Sequence, residues 1–351
     1  MNSLSIHVIY EYGEDLRPQA SASLRLLRPL SHPAVNQNLK ISFGRNLGYG
    51  YPNLVMIDRL WRPDICPQMV RDLATEVHNR GAQLIYWFDD DFLALYNERQ
   101  KITLAQKESF ETFLEICDAC VVSSLQLKET YSSHPRIFYH PSALDERIII
   151  NKTHHEYDGQ KITIGYMGTS THDEDLKIIS PTLQRINDQY PGKLRFQFVG
   201  VMNIDQLGQW ESLRQLPIEI ITPMTLENEY QLFMLWFTSR LKWDIGLAPL
   251  GDTIFNRSKS DIKFLDYAAA GVPGIFSKVP AYQSTVTDHK NGLLVSNTSD
   301  AWGEALIQLI ESPSQRIAIA SNASTYLYQN RIVLQCAGHW HSLLENFAIS
   351  G

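Results

Sequence analysis

Long hydrophobic runs are missing from this sequence. No uninterrupted apolar stretch approaches the ~20 residues that a membrane-spanning helix needs, so an integral membrane protein is not expected. Cysteine is scarce: Cys66, Cys117, Cys120 and Cys336 are too few and too scattered for a disulfide framework. Positive charge is short as well. Thirty-one basic residues against 38 acidic ones give a formal net charge of -7, so no general basic surface is available to coat nucleic acid. Any anion this protein binds must be held by a local cluster. Residues 1–16 carry no basic leader, so a secretion signal is not expected, and a reducing cytoplasm, up to the inner face of its membrane, fits the cysteine usage. The glycine-rich fingerprints G-x-G-x-x-G and G-x-x-x-x-G-K-[ST] do not follow the strand-to-helix turn where they would be needed, which disfavours dinucleotide oxidoreductases and nucleotide hydrolases. There is no internal repeat and no low-complexity tract.

What is present is a globular balance spread over 351 residues, beyond the size at which one hydrophobic core usually stops growing. Short apolar, β-branched runs alternate with amphipathic helical stretches. Strands are predicted at residues 5–10, 39–43, 54–58, 83–89, 119–123 and 136–139, then at 162–167, 195–199, 219–222, 245–248, 272–276 and 293–295. Helical patterns lie between them, as at 68–80 and 103–117. Continuous hydrophobic strands separated by helices imply parallel sheets buried on both faces, hence an α/β architecture. The polar, strand-free stretch 151–160 separates two blocks of similar size, giving expected domains at 1–152 and 160–330. Residues 331–351 read as a terminal helix with Val333, Cys336, Trp340, Leu343, Leu344 and Phe347 on one face, expected to cover the domain junction or the first domain. His154 and His155 read as solvated linker residues and Cys117-x-x-Cys120 as ordinary core cysteines.

The stretch 243–276 reads as strand, loop, helix, strand, with Ser258 as the helix N-cap and Gly271 just past its end. That frame puts Lys259 and Lys263 on one helix face, with Arg257 beside the cap. Cations near a helix N-terminus oppose the macrodipole and repel each other at i and i+4. An anion seated over the first turn, where free N–H groups point outward, reconciles the arrangement. A second candidate is the turn Gly168-Thr169-Ser170, where small residues allow a phosphate to approach backbone N–H groups. Its competing explanation is a plain capping box, Thr171-x-x-Glu174. A third is the strand end Asp89-Asp90-Asp91, whose carboxylates are placed to bind a hydroxylated substrate or act as a base, with an acidic helix cap as the alternative for Asp90 and Asp91.

On these residues the second half resembles the donor-binding domain of GT-B glycosyltransferases, in the manner of family 4 (group 1). Lys263-Phe-Leu-Asp-Tyr-Ala-Ala-Ala-Gly-Val-Pro273 is similar to the family's Lys-x-x-Glu-Tyr-x-Ala-x-Gly-x-Pro segment, Gly165-Tyr-Met-Gly-Thr-Ser170 to its first donor-domain turn, and Asn291-Gly-Leu-Leu-Val295 to a short strand near the domain's end. Trp87-Phe-Asp-Asp-Asp-Phe92 and Asp118-Ala-Cys-Val-Val-Ser-Ser124 resemble first-domain segments of polysaccharide-assembling members. The resemblance implies two Rossmann-like domains facing a central cleft. It also implies cytoplasmic transfer of a hexosyl or deoxyhexosyl group from a nucleotide-diphosphate sugar to a glycan or glycolipid, with retention. It further implies Asp266 at the ribose hydroxyls, Lys263, Arg257 and Lys259 as stabilisers of the diphosphate, and Gly168, Thr169, Ser170 and Ser258 along the donor. Asp89 would contact the acceptor's proton, with Asp90, Asp91 and Arg25 on the acceptor side. Two positions depart from the pattern: Asp266 replaces the usual glutamate, and Ser258 stands where a second glutamate is found. With two or three cations of its own, the site is expected to need neither a metal nor a cofactor. Peripheral contact with a membrane stays open, and nucleic acid is not an expected partner. A nucleotide-sugar epimerase and a non-catalytic two-domain binding protein are the competing readings.

Overall fold

The structure is a computed structural model that describes residues 3–150, 161–168, 173–200, 213, 216–223 and 229–348. Among the described residues twelve strands form two six-stranded, wholly parallel sheets. The first contains β1 (Leu4–Ile9), β2 (Leu39–Gly44), β3 (Leu54–Asp58), β4 (Gln83–Phe88), β5 (Ala119–Val122) and β6 (Ile137–Tyr139), in the order β2-β1-β3-β4-β5-β6. The second contains β7 (Ile162–Met167), β8 (Leu194–Val199), β9 (Ile218–Ile221), β10 (Ile245–Ala248), β11 (Gly274–Ser277) and β12 (Leu293–Val295), in the order β12-β11-β10-β7-β8-β9. Each order reverses once, between β1 and β3 and between β7 and β10. In open parallel sheets the crevice outside the strand carboxyl ends at such a reversal is where ligands bind.

Period-2 alternation divides the first sheet's side chains between two cores. Ile9, Ile57, Tyr86, Phe88 and Val122 face the helices Pro67–Asn79 and Leu104–Ile116. Ile6, Val8, Met56, Trp87 and Val121 face the other way, onto Leu26, Leu30 and the terminal helix Val333–Ala348. That helix contributes the apolar stripe visible in the sequence; its Trp340 stacks on Trp87 with ring centroids 5.2 Å apart. The second sheet is covered by Ser180–Gln189, Ser299–Glu311 and Pro313–Asn330, among others. Gly165 in β7 is obligatory, because a Cβ there would sit 1.8 Å from the Trp243 ring.

The chain divides into two compact units, one of residues 1–146, 257–260 and 331–351, the other of 147–256 and 261–330. The expected linker 151–160, with His154 and His155, lies outside the described residues. No described helix is long and apolar enough to cross a membrane.

Candidate active site

In the second unit, β7 and β10 flank the reversal, and their outgoing segments carry the polar groups. Gly168 leaves β7 with its N–H donated to Val199 O at 3.1 Å. Thr169 and Ser170, expected beside it on the donor, lie outside the described residues, as does Thr171. Asp175 lies in the helical turn Asp173–Lys177 and ties the two outgoing segments together: its Oδ1 accepts from Gly251 N at 2.8 Å and from Asn256 Nδ2 at 3.2 Å. The loop after β10 is further fixed by Ser277, which accepts from Leu250 N at 2.8 Å and donates to Asn297 Oδ1 at 2.6 Å.

The next helix runs Ile262–Ala270, and it corrects the sequence reading of its start. Ser258 is not the N-cap; Asp261 is, and residues 258–261 are non-helical. The reason is that this segment has other partners: Ser258 O accepts from Ser124 Oγ at 2.8 Å, Lys259 Nζ donates to Asp90 Oδ1 at 2.7 Å, and Ser260 Oγ accepts from Arg25 Nη2 at 3.2 Å. Lys259 therefore lies outside the helix, and the expected helical i, i+4 pairing of Lys259 with Lys263 does not exist. Arg257 closes the short helix Ile254–Arg257. The helix end matches the reading, with Gly271 as a left-handed C-terminal residue at φ 70°.

Lys263 and Asp266, one turn apart on that helix, are both buried. Lys263 Nζ lies 4.6 Å over the Tyr166 ring and 3.4 Å from its hydroxyl, so the strand that precedes Gly168 also aims this ammonium. Asp266 is 6% exposed and its Oδ1 has no hydrogen-bond partner among the described residues. Burial raises its pKa to about 8; Lys263 opposes the shift and Asp261 adds to it. Asp261 does not cap the helix with its carboxylate, which instead accepts from Thr285 Oγ1 at 2.5 Å. A buried carboxyl with one unpartnered oxygen among the described residues, beside a buried ammonium, is costly, and a hydroxyl-bearing ligand would satisfy it.

The first unit collects charge at its own reversal. Glu11 follows β1, Asp58 ends β3, Arg59 follows it, and Asp89 and Asp90 follow β4. Arg59 is the hub: Nε donates to Glu11 Oε2 at 2.7 Å, and Nη1 donates to Asp89 Oδ1 and to Asp90 Oδ2, the latter at 3.0 Å. Burial alone would lower the Arg59 pKa, but Asp89, Glu11, Asp90 and Asp58 outweigh it and hold the guanidinium charged. Arg25, on a π-helical turn at Ser23–Leu27, pairs with Asp89 Oδ2 at 2.5 Å. Asp89 is thus held by two arginines, one on each oxygen. Asp90 lies between Arg59 and Lys259; burial favours its neutral form, yet the two cations prevail and drive its pKa down. Asp91 caps the turn Phe92–Ala94, its Oδ1 accepting from Ala94 N at 2.9 Å and Tyr131 Oη at 2.6 Å.

Sequence reasoning passed over Glu11, Asp58, Arg59 and Asp175. Asp58 is fully buried, with one oxygen unpartnered among the described residues and a pKa pushed well up by burial, then by Glu11. The available signal was position: each of these residues ends or follows a strand beside a reversal, which becomes visible only once strand order is known.

No protein-family model matches the sequence, and no curated protein sequence does either. Solved structures share the fold. The chain is similar to sucrose-phosphate synthase from Thermosynechococcus elongatus at a TM-score of 0.67 and 13% identity, covering 99% of this chain and 100% of that one. It is similar to HepE from Anabaena, solved with UDP and glucose, at a TM-score of 0.66 and 12% identity over 98% and 100% of the two chains. The pneumococcal O-GlcNAc transferase GtfA, solved with UDP and GlcNAc, matches at a TM-score of 0.59 and 14% identity over 84% of this chain and 57% of its own. These neighbours are GT-B glycosyltransferases, and the fold described above is theirs: two Rossmann-like α/β domains.

Proposed function

We propose that this protein is a glycosyltransferase that moves a sugar from a nucleotide-activated donor to a hydroxyl of a glycan or glycolipid. The observation that carries the reading is the buried Lys263–Asp266 pair, with its unpartnered carboxylate oxygen, beside the carboxyl ends of β7 and β10. Asp266 takes the ribose hydroxyls. Lys263 neutralises the diphosphate, its ammonium held over the Tyr166 ring at the end of β7. Uridine is the favoured base, because HepE and GtfA were each solved with UDP.

Breaking the sugar–phosphate bond leaves growing negative charge on the diphosphate and positive charge on the sugar ring. A preorganised cation stabilises the departing anion more than the ground state, and the fixed Lys263 ammonium supplies this. We assign retention of configuration, the acceptor's proton passing to the leaving phosphate. On the acceptor side Asp89, engaged on both oxygens, orients Arg25 and Arg59, and Asp90, whose oxygens accept from Lys259 and Arg59, orients those two cations.

Calorimetric titration with UDP, GDP, TDP, ADP and CMP tests the reading. One diphosphate is expected to bind, and Lys263→Ala is expected to weaken it at least tenfold, about 1.4 kcal/mol. No binding across the panel would remove the proposal. Conversion of a nucleotide sugar to its epimer without acceptor would replace it.

A further inference from the structure

Away from the strand reversals, three side chains with reactive chemistry meet. Cys117 ends the helix Leu104–Ile116, Cys120 lies in β5, and His134 lies in the segment leading to β6. Pairing of β6 with β5, anchored where Cys120 N donates to Arg136 O at 2.8 Å, returns His134 to the helix end. Cys117 Sγ is 3.4 Å from Cys120 Sγ and 3.5 Å from His134 Nε2. The other ring nitrogen, Nδ1, accepts from the backbone N–H of Arg136 at 3.2 Å. That bond assigns the neutral ring's hydrogen to Nε2, the nitrogen facing sulfur. His134 is therefore a donor toward Cys117 in this arrangement, not a lone pair waiting for a metal.

The two sulfurs differ in setting. Cys120 has no exposed surface and its thiol is pushed up by its bond to Cys117 and by burial, so it keeps its proton and donates. Cys117 accepts from Cys120 and from His134; the first of these bonds, against burial, and then the second bring its pKa to about 6. Asp118, which accepts from His78 Nε2 at 3.0 Å and Leu84 N at 2.7 Å, is the charge nearby that opposes this, and the buried Tyr86 hydroxyl stays neutral. His134 is partly exposed and borders the outside.

We propose that Cys117 and Cys120 are a reactive dithiol that closes to a disulfide on meeting a hydroperoxide, with Cys117 the attacking thiolate and His134 its positioning donor. The Cys117 thiolate attacks a peroxide oxygen, the O–O bond breaks, and the departing alkoxide or hydroxide takes up a proton. Cys117 is left as a sulfenic acid. The Cys120 sulfur then attacks the Cys117 sulfur, the S–O bond breaks, and the Cys120 proton leaves with the hydroxyl as water. Two electrons pass from the dithiol to the peroxide, which ends as alcohol or water plus the second water.

Cys66, which is more exposed, and Cys336, which is buried and whose thiol burial raises, are internal references. With the full-length protein at pH 6.5, iodoacetamide is expected to label Cys117 several-fold faster than Cys66, despite its deeper burial, and Cys336 last. Hydrogen peroxide should remove about 2 Da from the peptide containing both cysteines. In Cys120→Ser, dimedone should trap a sulfenic acid on Cys117, and in Cys117→Ser no trapped species should form at Cys120. His134→Leu should move the labelling midpoint toward that of an ordinary thiol, near 8.5. Labelling of Cys66 ahead of Cys117, over-oxidation of Cys117 without disulfide, or stoichiometric zinc that shields both thiols in the isolated protein would each overturn the proposal.

Discussion

Asp266 concentrates the tension of the second unit in one side chain. Burial holds its proton to about pH 8, whereas an unfolded aspartate releases it near 3.9. Between those values the folded chain binds a proton that the unfolded chain has lost, so this group's contribution to stability falls as pH rises. It is fully retained below about pH 4 and lost through pH 8. Asp266→Asn, which keeps the shape and removes the ionisation, should flatten that part of the profile. At pH 8 it should stabilise the protein by on the order of a few kcal/mol, while weakening the binding proposed for the ribose. Urea unfolding of both proteins at pH 5 and pH 8 measures the difference. Parallel profiles would mean that Asp266 is solvated, and the argument for an unsatisfied ligand-binding carboxyl would go with it. Glu11 and Asp58, also raised by burial, impose the same sign but are common to both proteins, so the comparison isolates Asp266.

Among the elements, the terminal helix Val333–Ala348 carries the clearest consequence. Trp340 is fully buried, stacked on Trp87 and 4.5 Å from the His140 ring between centroids. Trp340→Ala leaves a cavity that rigid strands on one side cannot fill, and should cost about 3–5 kcal/mol, read as a drop in the denaturation midpoint of the first unit. A loss under about 1 kcal/mol would show that the helix is only loosely laid on the sheet. This element was readable because its six apolar positions repeat at helical spacing and nothing local competes. The twelve strands were readable as short, continuous apolar and β-branched runs, with bounds off by a residue or two. The start of the Ile262–Ala270 helix was not. Ser258 is a good cap by local chemistry, but Asp90, Arg25 and Ser124 engage residues 258–260, and partners up to 235 positions away leave no trace in a local pattern. Lys263, Asp266 and Gly168 were legible because they sit at a strand end or on a recognisable helix. Arg59 was hidden in an unremarkable loop, and its importance comes from strand order alone.

At the scale of the molecule, the first unit is assembled from three separated pieces of chain: residues 1–146, 257–260 and 331–351. One face of its sheet is covered in part by the last piece, which contributes Val333, Cys336, Trp340, Leu343, Leu344 and Phe347 to the same core as Ile6, Val8, Met56 and Val121. Burying six such side chains is worth roughly 10 kcal/mol at 1.5–3 kcal/mol each for the larger ones, an upper bound because unfolded chains are partly collapsed. That is comparable with the whole 5–15 kcal/mol by which domains exceed their unfolded state. The short middle piece adds Lys259, without which Asp90 keeps only Arg59 among the ion-pair partners described above. A fragment of residues 1–146 therefore carries six strands in the right order and still lacks the surface that closes them. It should be aggregation-prone or molten, with secondary structure by circular dichroism but no cooperative unfolding and poorly dispersed amide resonances. Adding residues 331–351 as a separate peptide should restore part of the cooperativity, because the lost area returns without the connecting chain. If the fragment alone unfolds sharply and shows dispersed resonances, the returning helix is a covering, and the first sheet's stability lies in its strands and in the helices Pro67–Asn79 and Leu104–Ile116.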